Sequence, residues 1–268
     1  MSLPPPTLFD PIQLRRQRLR TLPKLAQHDF LFKEAAQRLA DRLLDVKRDF
    51  PLVLELGARG GLMAEALAGL PRIGRLISLD PHPAQPTSGA LGLAADPEVL
   101  PLAPESVDLI VSCLSLHWIN DLPGLLIQAR RALKPGGLFL ASLLGGGTLA
   151  ELRQAFLLAE SEVTGGAAPR VIPMAEIKDL GGLMQRARFD QPVADSEILT
   201  VEYAHPLNLL ADLRGMGEGN ALMERSRKPL SRAVLFRMAE IYQNRFAQPS
   251  GRVPARFEII TLTGWVPS

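Results

Sequence analysis

The chain has 268 residues, enough for one large domain or two small ones, and a fold of this size buries roughly three quarters of its unfolded surface without needing staples. Hydrophobic residues make up 47% and charged residues 22%, which excludes an intrinsically disordered chain. One cysteine, Cys113, excludes a disulfide framework and a clustered-thiolate metal site, and a net charge of +2 gives no electrostatic case for a nucleic-acid partner.

Met1 to Pro6 is proline-rich, without the apolar core or cleavage signal of a secretory leader. Arg15, Arg16, Arg18, Arg20 and Lys24 form a basic run. Asp10 and the lack of serines count against a transit peptide, so the run is read as a solvated helix face. No apolar run approaches the roughly 18 residues of a membrane span. A cytoplasmic protein is expected, with peripheral membrane association left open.

From Gln27 to Lys47 the apolar positions Phe30, Ala35, Leu39 and Leu43 recur at helical spacing, and Asp49-Phe50-Pro51 ends the pattern. Short apolar runs then alternate with helical stretches. Strands are expected at 52–56, 75–79, 91–95, 107–114 and 138–144. Helices are expected at 62–70 and 122–133, the latter ended by Lys134-Pro135-Gly136-Gly137. Pro81, Pro83 and Pro86 argue against a helix before Thr87. Thr148 and Glu151 have the spacing of a capping box, so a helix should start there. A further helix is expected over 173–188 and strands over 195–203 and 256–266. The intervening 204–255, with helical patterns at 207–213 and 230–246, is too long for a plain loop and reads as a helical cap. The domain reading is therefore a helical segment over 1–50 and an α/β domain over 51–268 that carries this cap.

The strand–helix rhythm predicts an α/β, Rossmann-like fold with parallel strands joined by right-handed crossovers. Ligands of such sheets sit beyond the carboxyl ends of the strands. Glu55-Leu-Gly57-Ala-Arg59-Gly60-Gly61 closes the first strand. It lacks the nicotinamide pattern Gly-x-Gly-x-x-Gly and instead fits Asp/Glu-x-Gly-x-Gly-x-Gly, the motif of S-adenosylmethionine enzymes, with Arg59 in place of the middle glycine. Asp80, at the end of the next strand, can accept both ribose hydroxyls, and Asp96, at the end of the third, can accept from the adenine amino group. Pro81 and Leu114, beside these strand ends, complete the expected cofactor set of Glu55, Gly57, Arg59, Gly61, Asp80 and Asp96.

The stretch from Pro51 to Gly146, with Val107-Asp-Leu-Ile-Val-Ser-Cys-Leu-Ser-Leu-His-Trp118 and Leu133-Lys-Pro-Gly-Gly137, resembles the class I S-adenosylmethionine-dependent methyltransferase domain, in the branch that includes the malonyl-carrier-protein methyltransferases. Leu8-Phe9-Asp10, His117-Trp118-Ile119-Asn120-Asp121-Leu122-Pro123, Gly145 to Arg153, Gly215-Met-Gly-Glu-Gly-Asn220 and Gly264-Trp265 are similar to the methyltransferase-fold assembly factors of respiratory complex I and their alphaproteobacterial relatives. That resemblance implies a seven-stranded fold, S-adenosylmethionine as cofactor, and a protein partner, a complex I subunit. It also implies arginine hydroxylation as the reaction attributed to the mitochondrial members. The chain starts close to Leu8-Phe9-Asp10, which is read as leaving no room for a transit peptide and as favouring a bacterial cytoplasmic protein.

His117 and Trp118 follow the fourth strand, where the reactive methyl should lie. His117 is either a general base or orienting group, or a packed side chain bonded to a backbone carbonyl. Trp118 either buries area or faces the sulfonium, a cation–π contact of about 1–2 kcal/mol when desolvated. Arg59 is expected to turn outward or to pair with the cofactor carboxylate. Arg38 and Arg42 share a helix face that reads as surface, with a carboxylate clamp as the alternative. His28, His82, His117 and His205 are scattered and form no His-x-Asp/Glu pair, so no iron site is evident and no metal is expected. Cys113 reads as inert core. Three functions remain open: an enzyme acting on a protein side chain in complex I assembly, a small-molecule or acyl-carrier O-methyltransferase, and a non-catalytic assembly chaperone that binds S-adenosylmethionine.

Overall fold

A computed structural model describes residues 7–81 and 89–268. Met1 to Pro6, His82, Pro83 and Pro86 therefore lie outside the described residues. Seven strands form one sheet: β1 (Phe50–Leu56), β2 (Ile73–Asp80), β3 (Leu91–Ala94), β4 (Val107–Cys113), β5 (Leu133–Leu144), β6 (Asp190–Tyr203) and β7 (Val253–Trp265). Their order is β3-β2-β1-β4-β5-β7-β6. The first five are parallel, and β7 runs antiparallel between β5 and β6. The sheet is the Rossmann-like, seven-stranded one expected.

Composition explains the layering. Every residue of β4 is buried, and Val53, Leu54 and Leu56 of β1 have no exposed surface. Strands apolar on both faces need helices on both sides. On one side, α2 (Phe30–Leu44) buries Leu31, Phe32, Ala35, Leu39 and Leu43 against β4 and β5. On the other, α4 (Leu122–Ala132) buries Leu122, Leu125, Leu126 and Ala129. It starts where Asp121 accepts the Gly124 N–H at 2.9 Å. The short α3 (Leu62–Leu67) follows Gly61, whose φ is +78°.

The helix expected over 27–47 is shorter than the pattern suggested. A 3-10 turn occupies Leu22–Gln27 and the α-helix begins at Phe30. The next helix, α5 (Ala150–Thr164), starts near the expected place but not by a capping box. Leu149, at φ +54°, holds the N-cap position with no side-chain cap. The Thr148 hydroxyl is drawn instead to β7, where it accepts the Glu258 N–H at 3.1 Å and donates to the Glu258 carbonyl at 3.3 Å. The helix expected over 173–188 is confined to α6 (Ile177–Arg186).

The segment 204–255 contains α7 (Pro206–Gly215) and α8 (Arg232–Phe246). Helix α8 lies against α5 and β7, covering the sheet rather than the crevice. What reaches the crevice is the 215–222 loop after α7.

That loop meets α1 (Pro11–Thr21), which lies across the carboxyl ends of the strands. Asp10 caps α1 by accepting the Gln13 N–H at 3.0 Å. Only Gln17 and Thr21 of α1 are buried, so polar contacts hold it in place. The Asp10 N–H donates to the Ala221 carbonyl at 2.7 Å, and Gln17 Nε2 donates to the Asn220 carbonyl at 3.3 Å. Arg225 pairs with the Asp10 carboxylate at 2.9 Å. The glycines of the loop permit this approach. Gly217 has φ +74°, and a Cβ there would lie 2.9 Å from Thr21 Oγ1.

Gly217→Ala should therefore add a steric cost to the backbone strain of about 1–2 kcal/mol that a left-handed alanine carries. Gly251 has φ +78° with nothing within 4 Å of an added Cβ, so Gly251→Ala carries the strain alone. Urea denaturation should show Gly217→Ala to be the more destabilised. Equal losses would mean that α1 yields freely.

Candidate functional site: two cavities at the strand ends

A cavity of about 400 Å³ lies at the carboxyl ends of β1 to β4, roofed by α1. Ala58, Arg59 and Gly60 line it from the turn after β1, Asp80 and Pro81 from the end of β2, and Asp96 from the end of β3. Ser115 and Trp118 line it after β4, and Leu14 and Arg18 come from α1. Gly57, at φ +74°, is what lets the β1 and β4 ends come together, because a Cβ there would overlap the Ser115 side chain. Asp80 is buried, and Asp96 is exposed with Oδ1 accepting the Glu98 N–H at 2.9 Å.

The other expected cofactor residues stand behind this wall. Gly57 and Gly61 shape the turn without lining the cavity. Leu114 is fully buried at φ +43°, its N–H donating to the Ser142 carbonyl at 2.9 Å. Glu55 is buried and accepts the Ser78 hydroxyl at 2.5 Å. Burial pushes its carboxyl up to about 7, the Ser78 hydrogen bond opposing and the Asp80 charge adding to the rise.

Arg59 turns neither outward nor to a free position in the cavity. Its guanidinium stacks on Phe32, 4.7 Å from the ring centroid, and donates to the Met216 carbonyl at 3.2 Å. It also pairs with Glu218 Oε1. Glu218 Oε2 accepts from Trp118 Nε1 at 2.8 Å and from His117 Nε2 at 3.1 Å. Burial alone would raise Glu218, but the Arg59 cation and the His117 hydrogen bond outweigh it and hold the carboxylate well below its usual range.

His117 accepts the Leu144 N–H at Nδ1, at 3.4 Å, so both ring nitrogens are engaged. Burial lowers its pKa and leaves the ring neutral. His117 lines neither cavity described here.

A second cavity of about 300 Å³ adjoins the first across Trp118 and Met216. Leu31, Leu144, Leu152, Phe156, Met174 and Phe257 give it apolar walls, and Arg20, Arg170 and Arg214 add positive charge. Arg170 is paired with Glu160, whose Oε1 accepts its Nη2 at 2.5 Å.

Arg38 and Arg42 face away from both cavities, pairing with Glu197 at 2.6 Å and Asp195 at 2.5 Å on β6. His28 bonds Asp212 at 2.7 Å, and His205 caps α7. Among the described residues no three His, Cys, Asp or Glu side chains converge as a metal-binding group. Cys113 is buried core, its thiol pushed up to about 12 by that burial.

Two residues escaped the sequence reading. Arg18 stood in a run taken as solvated, yet it lines the first cavity, where burial and the Arg59 cation press it down to about 9. The signal was present: Leu14, Gln17, Arg18 and Thr21 share one face of α1, and a polar inward face implies polar surroundings. Glu218 was visible only as part of a glycine-rich loop, because its partners lie some 100 to 160 residues away.

A methyltransferase-domain family matches residues 54–141. Over nearly its whole length, the chain is 38% identical across 268 aligned residues to the mitochondrial arginine-hydroxylase NDUFAF5 of Danio rerio, covering 97% of this chain and 83% of that protein. The chain belongs to the class I S-adenosylmethionine-dependent methyltransferase family. The malonyl-[acyl-carrier protein] O-methyltransferase of Xylella fastidiosa (strain M23) is 32% identical over 274 residues, 97% of this chain and 90% of that one.

Among solved structures, the Haemonchus contortus phosphoethanolamine N-methyltransferase 2 in complex with S-adenosylmethionine has a TM-score of 0.54 at 12% identity, covering 92% of this chain and 57% of that one. The [4+2]-cyclase SpnF has a TM-score of 0.55 at 15% identity, covering 99% and 98%. The cofactor of this methyltransferase is S-adenosylmethionine. The first cavity fits it, with a carboxylate at the end of β2, a glycine turn that permits close approach, and buried guanidinium donors of Arg18 that lack an acceptor among the described residues.

Two stability outcomes follow from these environments. Glu218→Ala leaves the buried Arg59 cation without its carboxylate and should cost about 3–5 kcal/mol in urea denaturation. Glu55 holds its proton up to about pH 7 when folded, whereas an unfolded chain releases it near 4.5. Wild-type stability should therefore fall as pH rises through that window and level off above it. Glu55→Gln should gain on the wild type by on the order of 2–3 kcal/mol between those pH values. A gap that does not change with pH would contradict this.

Proposed function

We propose that this methyltransferase modifies a side chain of a protein partner, a complex I subunit, during assembly of the respiratory complex. Supporting it is the similarity to the NDUFAF5 proteins, which covers as much as 97% of the chain and so extends well outside the generic domain at 54–141. The observation that carries an enzymatic reading is the meeting of two cavities across Trp118 and Met216. One takes the cofactor, and the other admits the acceptor. The proposed location is the bacterial cytoplasm with any membrane contact peripheral. Among the described residues no helix is long and apolar enough to cross a bilayer.

In this reading Asp80 accepts the ribose hydroxyls and Asp96, on the rim beside Pro81, accepts from the adenine amino group. The Glu55–Gly61 turn backs the rest, with Leu114 and Gly57 setting how near β4 comes. When bound, the cofactor supplies an electrophilic methyl group on sulfur. The chain's task is alignment and exclusion of water, which can supply roughly 7–11 kcal/mol of a barrier. Trp118 forms the wall between the cavities and is locked by Glu218. His117 holds Glu218 in place and moves no proton.

A second reading, O-methylation of an acyl-carrier substrate, is favoured by the second cavity itself. Apolar walls with Arg20, Arg170 and Arg214 suit an apolar chain ending in an anion.

Calorimetric titration with S-adenosylmethionine and S-adenosylhomocysteine should show micromolar binding that Asp80→Ala weakens by roughly 10-fold or more. Incubation with complex I subunits or with malonyl-acyl-carrier protein should then release S-adenosylhomocysteine with one acceptor. Mass spectrometry of the acceptor distinguishes an added methyl from an added oxygen. Tight binding with neither acceptor modified would favour the assembly-chaperone function.

A further inference from the structure

Arg18 is an unusual residue to find inside this site. Its Nε and Nη2 are shielded from solvent and meet no acceptor among the described residues. A guanidinium left in that state is destabilising, because its hydration is lost and nothing replaces it. The other cations near the strand ends differ. Arg59 is taken up by Glu218, the Met216 carbonyl and the Phe32 ring. Arg38 and Arg42 are bound to β6. Arg15 lines the same cavity from its exposed side. Arg59 keeps one buried Nη2 without an acceptor but is anchored through Nη1, whereas Arg18 presents two such nitrogens, Nε and Nη2, to the first cavity.

The helix that carries it is weakly anchored. Ile12 and Leu19 remain 61% and 43% exposed, and the buried positions of α1 are Gln17 and Thr21. Its ties are hydrogen bonds to the 220–225 segment at its start and middle. An anion bound at Arg18 would add the charge-assisted contact that the underside of α1 lacks.

We propose that Arg18 takes the carboxylate at the amino-acid end of S-adenosylmethionine, and that this contact latches α1 over the cofactor cavity. The planar fork of a guanidinium matches a carboxylate in a way that a lysine ammonium does not. The latch rests on the cofactor assignment above. It adds that recognition of the amino-acid end and closure of the site are one event, residing in the N-terminal helix rather than in the glycine turn.

The test compares ligands with and without that carboxylate. Wild type, Arg18→Lys and Arg18→Met are titrated with S-adenosylhomocysteine and with 5′-methylthioadenosine, which lacks the amino-acid end. Arg18→Met should weaken S-adenosylhomocysteine by roughly 10- to 100-fold and leave methylthioadenosine within about twofold. Arg18→Lys should fall between. Ligand-free Arg18→Met should melt no lower than the wild type, since it removes an unpaired buried cation. S-adenosylhomocysteine should slow amide exchange across 11–21 in the wild type but not in Arg18→Met, and methylthioadenosine should slow it in neither. Equal weakening of both ligands, or unchanged S-adenosylhomocysteine binding, would overturn the latch while leaving the cofactor assignment standing. No binding of S-adenosylhomocysteine to the wild type would overturn both.

Discussion

The buried carboxylate of Glu218 is the contact on which the site depends. It joins three pieces of chain that are remote in sequence: the turn after β1 through Arg59, the end of β4 through His117 and Trp118, and the loop after α7 in which it lies. A buried charge is tolerable only when paired and fully hydrogen-bonded, and here both oxygens are engaged. Because Glu218 is satisfied in one arrangement, the indole of Trp118 and the tautomer of His117 are set with it. The wall between the two cavities is therefore a by-product of an electrostatic requirement.

This arrangement accounts for the arginine in the glycine motif. A side chain at position 59 would ordinarily obstruct close backbone approach to a ligand. Here it is carried away from the turn, over Phe32 and onto the Met216 carbonyl and Glu218. Substitution in the motif and an acid in the distant loop belong together, and the loop is fastened to the sheet by the residue that departs from the pattern. The same loop receives α1, whose polar underside faces the cavity. The two cavities and the roof over the first thus share one set of contacts.

The fold leaves the acceptor open. A [4+2]-cyclase has the same architecture along almost the whole chain, so what distinguishes members lies in the walls rather than the sheet. In this chain the second cavity is apolar and ringed by arginines. Among the described residues the one acid lining it, Glu218, is already committed to Arg59 and to His117 and Trp118.

Much of the fold was legible because it depends on local pattern. Apolar runs without polar interruption became the central strands, and Gly57, Asp80 and Asp96 marked their carboxyl ends, since a parallel sheet must put its ligand there. The failures share one cause. Thr148 had the spacing of a cap but bonds Glu258 of β7, and α8 had the pattern of a cap helix but covers α5 and the sheet. Each choice was made by a surface supplied from elsewhere in the chain. The sequence by itself determined the strand–helix alternation, the crevice at the strand ends and the family, because these follow from the order of residues along short segments. Only the tertiary structure decided that Arg59 and His117 belong to Glu218, and that Arg18 faces inward. Burial and charge pairing are properties of what surrounds a side chain, and those surroundings come from segments separated by a hundred residues or more.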